Sequence, residues 1–285
     1  MITAAKEKEL ASKSYITKNI QGKIRIAAKN KSSLTIKLTL IILSIATVYA
    51  FLTFDYKNID FGEAMVDTLK NIGTAFLNPR LKYDTFLGAL YQLLITFSLG
   101  VLSTLLGTII AFFGSLLCAK NIAKPQTANI VKSIVAFVRA VPTILWVLIF
   151  AVSAGLGSVA AVIGLTFHSA SYLIKAYSES IEEMDYGTIE ALKASGASYW
   201  QIVFQAIVPA SISYIVAWTF MRFEINFANA VAMGAAAGAG GIGYSLFMSG
   251  SFYFDLRETG FLTLIIVVAV IILEAISTKL KEKVK

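Results

Sequence analysis

The chain has few of the residues that build disulfides, metal centres or soluble surfaces. Its 285 residues include one cysteine and one histidine, and only 15% of them are charged. A single cysteine excludes an internal disulfide framework, and a single histidine leaves no cluster with metal-ligand spacing. No glycine-rich loop ends in Gly-Lys-Ser or Gly-Lys-Thr, so the usual phosphate cradle for ATP is missing. We therefore expect neither a catalytic site nor a metal or cofactor bound by this chain.

Apolar residues dominate the composition instead. They make up 57% of the chain, and the mean hydropathy of +0.73 is typical of integral membrane proteins. Six segments approach the roughly 20 residues that a helix needs to cross a bilayer core. These predicted spans are Leu38–Phe54, Phe86–Phe113, Ile134–Ser153, Ser158–Ala176, Val203–Met221 and Phe261–Thr278. Backbone groups in lipid must be paired internally, so the predicted fold class is an all-α membrane protein with about six transmembrane helices.

The basic residues predict the orientation of these spans. The net charge is +8, and lysines and arginines are concentrated before the first span, after the second span and in the C-terminal tail. Because basic loops stay on the cytoplasmic side, we expect both termini inside the cell. The charge would then face membrane lipid, so a nucleic-acid partner is not expected.

Four regions follow from this reading. Residues 1–37 form a basic cytoplasmic segment, 38–85 the first span and an outer loop, 86–279 the transmembrane domain, and 280–285 a cytoplasmic tail. In the first region Ile16, Ile20, Ile24 and Ala27 recur at helical spacing, which predicts a basic amphipathic helix on the inner leaflet. A disordered basic tail is the alternative. The apolar run that follows lacks a small-residue cleavage site, so no removable signal peptide is expected.

Glycines interrupt the apolar stretch that follows the fifth span. Gly238, Gly240, Gly241 and Gly243 stand close together, and each glycine costs a helix about 1 kcal/mol relative to alanine. We expect a helix that enters the membrane and stops, or a re-entrant element, on the outer side. Irregular backbone at that depth is tolerated where protein or water covers it, so this element should line a pathway.

Charged and amide side chains near these spans are candidates for a pathway. Arg139 lies early in the third span and is followed by Pro142, which frees a backbone carbonyl. It is either a gate or pathway residue or a structural partner for helix ends or lipid phosphate. Arg222 and Glu224 are expected at the outer end of the fifth span. The remaining candidates are the neutral amides Asn226 and Asn229, and His168, which is either a satisfied interior histidine or a proton relay.

The loop EALKASGASYWQIVFQAIVP, from Glu190 to Pro209, is charged, broken by glycine and expected in the cytoplasm. A short helix should begin near Asp185 or Thr188, with Glu190 in its first turn. Glu190 and Ala191, with Gly196 six positions after the glutamate and Pro209 thirteen further on, resemble the EAA loop of importer-type ABC permeases. In that family the loop is a coupling helix that docks on a separate ATPase subunit.

An ordinary loop without a partner is the alternative interpretation of this segment. We expect Gly196 to leave no room for a side chain, and Pro209 to fix the bend at the start of the next span.

The resemblance continues beyond the loop. DYGTIEALKASGAS, MRFEINFANAVAMG and GAGGIGYSL look like the permease subunit of phosphonate-type ABC importers, over roughly residues 86–278. It implies a homodimer in a prokaryotic plasma membrane, with two ATP-binding subunits that hold ATP and Mg²⁺ and an extracytoplasmic solute-binding protein. Arg139, Arg222, Gly240 and Gly241 would then belong to the pathway or gate of an oxyanion.

Other solutes and other mechanisms remain open. An amino acid such as methionine is the main alternative solute. A proton-coupled secondary transporter using Glu274 and His168, or a structural membrane protein, are the alternatives from other classes.

Overall fold

A computed structural model of the chain describes residues 16–18, 24–26, 31–54 and 59–284. The chain divides into two units, Met1–Ala64 and Met65–Lys285. The elements are β1 (Ile16–Lys18), β2 (Ile24–Ile26), α1 (Lys31–Thr53), α2 (Phe61–Leu77), α3 (Phe86–Cys118), α4 (Pro125–Ala140), α5 (Thr143–Ala154), α6 (Ser158–Glu182), α7 (Tyr186–Ala194), α8 (Tyr199–Ile202), α9 (Val208–Ala237), α10 (Gly241–Phe247) and α11 (Leu256–Val284). The predicted all-α fold class is confirmed, with one two-stranded exception.

That exception lies where the amphipathic helix is expected. Strands β1 and β2 pair antiparallel, with Ile16 opposite Ile26 and Lys18 opposite Ile24. The helix prediction is therefore wrong over these residues; Ile20 and Ala27 lie outside the described part. Isoleucine and threonine are β-branched and favour extended backbone, and Ile24-Arg25-Ile26 alternates with a period of two.

The first predicted span corresponds to α1. This helix is apolar enough to cross a membrane over Leu34–Thr53. Its apolar side chains are spread around the whole circumference, as expected for a helix surrounded by lipid or by other helices.

Helices α3, α6 and α9 form the centre of the second unit. A Cβ at Gly107 of α3 would lie 2.9 Å from the side chain of Ser169 in α6, and one at Gly114 would lie 2.7 Å from Ile174. The two helices therefore run parallel in close contact. Helix α9 runs antiparallel to them, because Thr219 bonds Tyr177 while the later Asn226 bonds Ser169. We call the end where Leu116 and Ile181 pack against Ile189 of α7 the α7 end, and the opposite one the Glu258 end.

The predicted third span is broken. Helices α4 and α5 meet at an angle of 90° on either side of Pro142. Proline has no N–H, so the carbonyl of Val138 loses its helical donor. The indole Nε1–H of Trp146 donates to that carbonyl instead, at 2.9 Å.

The two pieces still traverse the bundle together. Lys132 of α4 bonds Glu182 at the end of α6, whereas Val147 of α5 packs on Gly164 near its beginning. Among the described residues, this pair counted as one span and the five unbroken helices give the six spans that the sequence predicts.

The predicted fifth span extends much further than Met221. Its helical path starts at Tyr199, passes a π-helical turn at Val203–Ile207 and continues to Ala237. Pro209 lies just after that turn inside a continuous span, and so does not mark the start of a new segment. The sequence after residue 227 is rich in alanine, which has the highest helix propensity of all residues, so the helix continues there.

The predicted interruption of the glycine-rich stretch is confirmed. Gly238 ends α9 in the left-handed conformation at φ 60°, and α10 folds back against the helix that it follows. A Cβ at Gly243 would lie 1.8 Å from the carbonyl oxygen of Val231, so only glycine permits this contact. The backbone N–H of Ile242 then donates to Thr96 of α3 at 3.0 Å.

Residues 61–77 of the predicted outer loop form helix α2. The segment between α2 and α3 is joined to the start of α11 by the buried carboxylate of Glu258. It accepts the backbone N–H groups of Lys82, Tyr83 and Asp84 at 2.9–3.1 Å. Beside it, burial alone would raise the pKa of Asp255. The N–H groups of residues 257 and 258 and the guanidinium of Arg80 outweigh this effect and lower that pKa.

Candidate functional site

Helix α7 ends in a well-formed cap, whereas the side chain of Asp185 makes no capping bond at its start. Asp185 precedes its first residue, and Gly196 follows its last turn. The N–H of Ala197 bonds the carbonyl of Leu192, and that of Gly196 bonds Lys193, both at 3.0 Å. This pair of bonds is a Schellman motif, which ends a helix with a left-handed residue. Ser198 and Gln201 then form a capping box that starts α8.

Two sequence expectations for this loop are wrong. Glu190 is the fifth residue of α7, beyond its first turn, because the helix starts after Asp185. Gly196 has space around it, since a Cβ built there meets no atom of the described chain within 4 Å. Its φ of +83° is what requires glycine.

Helix α7 rests on the bundle through one face only. Ile189 is fully buried in an apolar cluster with Leu116 of α3, Ile181 of α6 and Ile202 of α8. The other face is exposed and presents Glu190, Ala191 and the turn at Gly196. The loop is therefore fixed to three helices through Ile189, and its other face stays exposed.

Arg222 is buried at the middle of the 30-residue α9. The sequence places it at the outer end of a span, and that placement is wrong because the span continues to Ala237. Only 2% of the residue is exposed. Its Nε donates to Ser169 Oγ at 3.0 Å and its Nη2 to His168 Nδ1 at 2.9 Å. Among the described residues, no carboxylate forms a salt bridge with it.

The bond from Arg222 defines the state of His168. A guanidinium can only donate, so the Nδ1 atom that it contacts must carry a lone pair. The imidazole is therefore neutral, with its proton on Nε2, as expected for a satisfied interior histidine. Asn226 extends the network, because its amide donates to Thr104 and accepts from Ser169 at 2.8 and 2.9 Å. This network joins α3, α6 and α9.

Tyr172 brings the two predicted arginines to one place. The guanidinium carbon of Arg139 lies 5.6 Å from the centre of the tyrosine ring, and that of Arg222 lies 5.3 Å from it. Both distances are within the range of a cation–π contact. Arg139 also occupies the last turn of α4, where a cation complements the helix dipole.

A polar face on α6 links these groups to the α7 end. It consists of His168, Tyr172, Lys175, Glu179 and Glu182, spaced four, three, four and three residues apart. These five residues are partly or fully exposed, whereas most of their neighbours on α6 are buried. Ionisable side chains on a membrane helix are expensive unless they face water, protein or a headgroup. Sequence analysis missed this face, although the helical spacing of its residues would have revealed it.

The other predicted residues are spread over three places. Pro142 forms the break between α4 and α5, one turn after Arg139. Glu224 and Asn229 are half-buried on α9, on either side of Asn226. Gly240 and Gly241 form the turn into α10, with φ of +77° and +74°. The structure thus joins Arg139, Arg222 and Asn226 around Tyr172 and Ser169, and leaves the glycines nearer the Glu258 end.

Comparison with known proteins identifies the family. Residues 111–282 match the family described as the binding-protein-dependent transport system inner membrane component. The chain belongs to this family. Its members are membrane components of transport systems rather than enzymes, and they work with a separate ATPase.

Curated relatives at moderate identity include two phosphorus oxyanion permeases. The phosphate-import permease protein PhnE of Mycolicibacterium smegmatis is 30% identical over 64% of this chain. The phosphite transport system permease protein PtxC of Stutzerimonas stutzeri is 27% identical over 67% of it. The alignments cover 34% of the length of PhnE and 69% of that of PtxC.

A solved structure supports the fold. The inward-facing MetNI methionine ABC transporter aligns with a TM-score of 0.62 and 22% identity, over 69% of this chain and 96% of that one. This likeness confirms the arrangement of helices in an ABC importer permease.

Proposed function

We propose that this chain is the permease subunit of an ATP-driven importer for a tetrahedral phosphorus oxyanion, such as a phosphonate, phosphite or phosphate. The observation that carries the proposal is the pair of guanidinium groups around Tyr172, one of them buried without a salt bridge. The names of PhnE and PtxC support the same class of solute.

The buried arginine suits an anion that passes and does not stay. A cation removed from water costs several kcal/mol unless it is paired, so a site that keeps Arg222 must gain something from its charge. Its present partners, Ser169 and the neutral His168, accept hydrogen bonds from two of its five N–H groups without cancelling that charge. An oxyanion arriving at Tyr172 would meet Arg222 and Arg139 in turn, each able to donate two parallel hydrogen bonds.

Energy would come from outside the chain. Two copies of the permease, two ATPase subunits that hold ATP and Mg²⁺, and an extracytoplasmic binding protein would make up the transporter. ATP-driven closure of the ATPase pair would displace α7, and the pathway between the permeases would open outward. Hydrolysis would reopen it inward. The exposed face of α7, with Glu190, Ala191 and Gly196, is the surface proposed for the ATPase, and Pro209 lies inside the continuous span that the movement would reach, just after its π-helical turn.

Methionine is the second candidate solute, because the permease of MetNI has the same fold. A zwitterion would need a carboxylate partner for its ammonium group as well as a cation. Two guanidiniums contact Tyr172, and among the described residues no acid forms a salt bridge with either of them, which favours an anion.

Uptake into proteoliposomes tests the proposal. The permease, its ATPase and its binding protein would be reconstituted together and given labelled methylphosphonate, phosphite, phosphate or methionine. We expect ATP-dependent uptake of at least one oxyanion and a large loss with Arg139→Gln. Lys124→Gln is the matched control, because it removes a cation from the exposed N-cap of the same helix. Uptake of methionine alone, or uptake driven by a proton gradient without ATP, would contradict the proposal.

A further inference from the structure

A cavity of about 310 Å³ opens between α4 and α6 at the α7 end. This volume is at the lower limit of typical small-molecule sites. Three basic and two acidic side chains line it, together with Ser178 and the apolar Cys118, Val135 and Ala136. The charged residues are Lys132, Arg139, Lys175, Glu179 and Glu182. Positive charge therefore exceeds negative charge by one at this cavity.

The acids neutralise these cations unequally. Lys132 bonds Glu182 at 2.8 Å, and the backbone N–H of Lys120 binds the same oxygen, so this pair is well fixed. Lys175 and Glu179 are 3.5 Å apart, with 49% and 58% of their side chains exposed. Such an exposed ion pair at long distance contributes little to stability, so another anion can easily replace the glutamate. Arg139 forms no salt bridge with any described acid and contacts the ring of Tyr172.

We propose that Arg139 and Lys175 form a binding site for a tetrahedral phosphorus oxyanion at this cavity. The inference rests on the proposed function and deepens it, because the site would receive the solute after Arg222. The anion would displace Glu179 from Lys175, and repulsion from Glu179 and Glu182 would keep the affinity low enough for release. The phosphate of an anionic lipid headgroup has the same chemistry and is the other source of the ligand.

The location of the cavity supports a role in exit. Tyr172 contacts both arginines, and Lys175 is the next residue of the polar face of α6 toward the α7 end. Arg222, Arg139 and Lys175 thus form a series of cations from the middle of the bundle to that end. A pathway for anions needs several weak sites in succession, because one strong site would trap the solute.

Direct binding to the whole transporter tests the site without relying on transport. Labelled inorganic phosphate and methylphosphonate would be titrated into the assembled complex, without binding protein, in nanodiscs of zwitterionic lipid. We expect Lys175→Gln and Arg139→Gln each to weaken binding about ten- to hundredfold, as loss of a charge-assisted hydrogen bond implies. Lys124→Gln is the matched control, because this exposed residue lies at the same end and does not line the cavity. We expect it to bind like the parent.

The lipid arm separates the two sources. Native mass spectrometry of complexes in anionic lipid would count tightly bound phospholipids. A lipid retained by the parent and lost in Lys175→Gln identifies a headgroup site, and free phosphate binding unaffected by anionic lipid identifies a solute site. Equal binding by the parent and both variants, or no phosphate bound in either arm, overturns the proposal. Phosphate bound here by a complex that transports only methionine would refute the proposed function and leave this site standing.

Discussion

Replacing Arg222 by methionine should separate transport from folding. The substitution removes two charge-assisted hydrogen bonds, to Ser169 and His168, which contribute about 1.5–3 kcal/mol each. It also removes a buried cation without a salt bridge, whose desolvation costs several kcal/mol. The two effects are similar in size and opposite in sign. We therefore expect the stability of Arg222→Met to stay within about 1 kcal/mol of the parent.

A neighbouring substitution provides the contrast. Asn226→Leu removes no charge, so it gains no relief from desolvation, and it leaves Thr104 and Ser169 short of one partner each. Loss of these bonds should cost about 2 kcal/mol. Thermal unfolding of the purified proteins should show Arg222→Met close to the parent and Asn226→Leu several degrees lower.

Transport rates should rank the two variants in the opposite order, with Arg222→Met the more impaired. Uptake per assembled complex in proteoliposomes should fall about a hundredfold or more in Arg222→Met, which corresponds to about 2.7 kcal/mol in the barrier. Arg222→Lys keeps the charge but has no planar fork, so we expect intermediate uptake. The reasoning is refuted if Arg222→Met unfolds as readily as Asn226→Leu while its folded fraction transports at the parent rate.

Further predictions concern the loops and the ends of the bundle. Gly196→Ala should cost about 1–2 kcal/mol through its φ of +83° and impair ATPase-driven uptake, whereas Gly196→Asn should be better tolerated because asparagine adopts this conformation more readily. Gly243→Ala should prevent accumulation of the protein, because its Cβ has no space, whereas Gly250→Ala, which meets only ordinary contacts, should not. Glu258→Gln should lower the thermal unfolding temperature by several degrees, since a carboxylate that accepts three N–H groups is replaced by a neutral amide. In a cysteine-free background an impermeant thiol reagent on whole cells should label Asn71→Cys and not Gly196→Cys; the reverse would contradict the predicted orientation.

Properties set by local composition could be predicted from the sequence. The lengths of the apolar runs gave the number of spans, because crossing a bilayer requires a minimum length in any fold. The glycines after residue 237 indicated the interruption, because they suit left-handed backbone and close helix contact. The loop around Glu190 was recognisable from its residues, although its exact caps were not.

Properties that depend on distant contacts could not be predicted. The partners of Arg222 lie more than 50 residues away, on a helix whose packing the sequence does not specify. The sequence predicts that the fifth span ends before Arg222, because a charge is costly inside a membrane. The hydrogen bonds among Arg222, Ser169 and Asn226 allow the helix to continue beyond this residue. Gly196 was assigned a steric role, although its requirement is conformational. The polar face of α6 could have been predicted, since the spacing of its residues along one helix is enough to define it.

The connection between α7 and the arginines follows from the order of the helices. Helix α6 ends at Glu182, just before α7, and the helical path into α9 begins at Tyr199, just after it. The first of these helices carries His168, Ser169 and Tyr172, and the second carries Arg222. A rigid displacement of α7 therefore acts on both helices that form the arginine site, and the apolar cluster around Ile189 couples the movement to α3 as well. Since the bonds of Arg222 join α6 to α9, any change in the relative position of these two helices must stretch or release them. We therefore expect the exposure of Arg222 to change when α7 is displaced relative to the bundle.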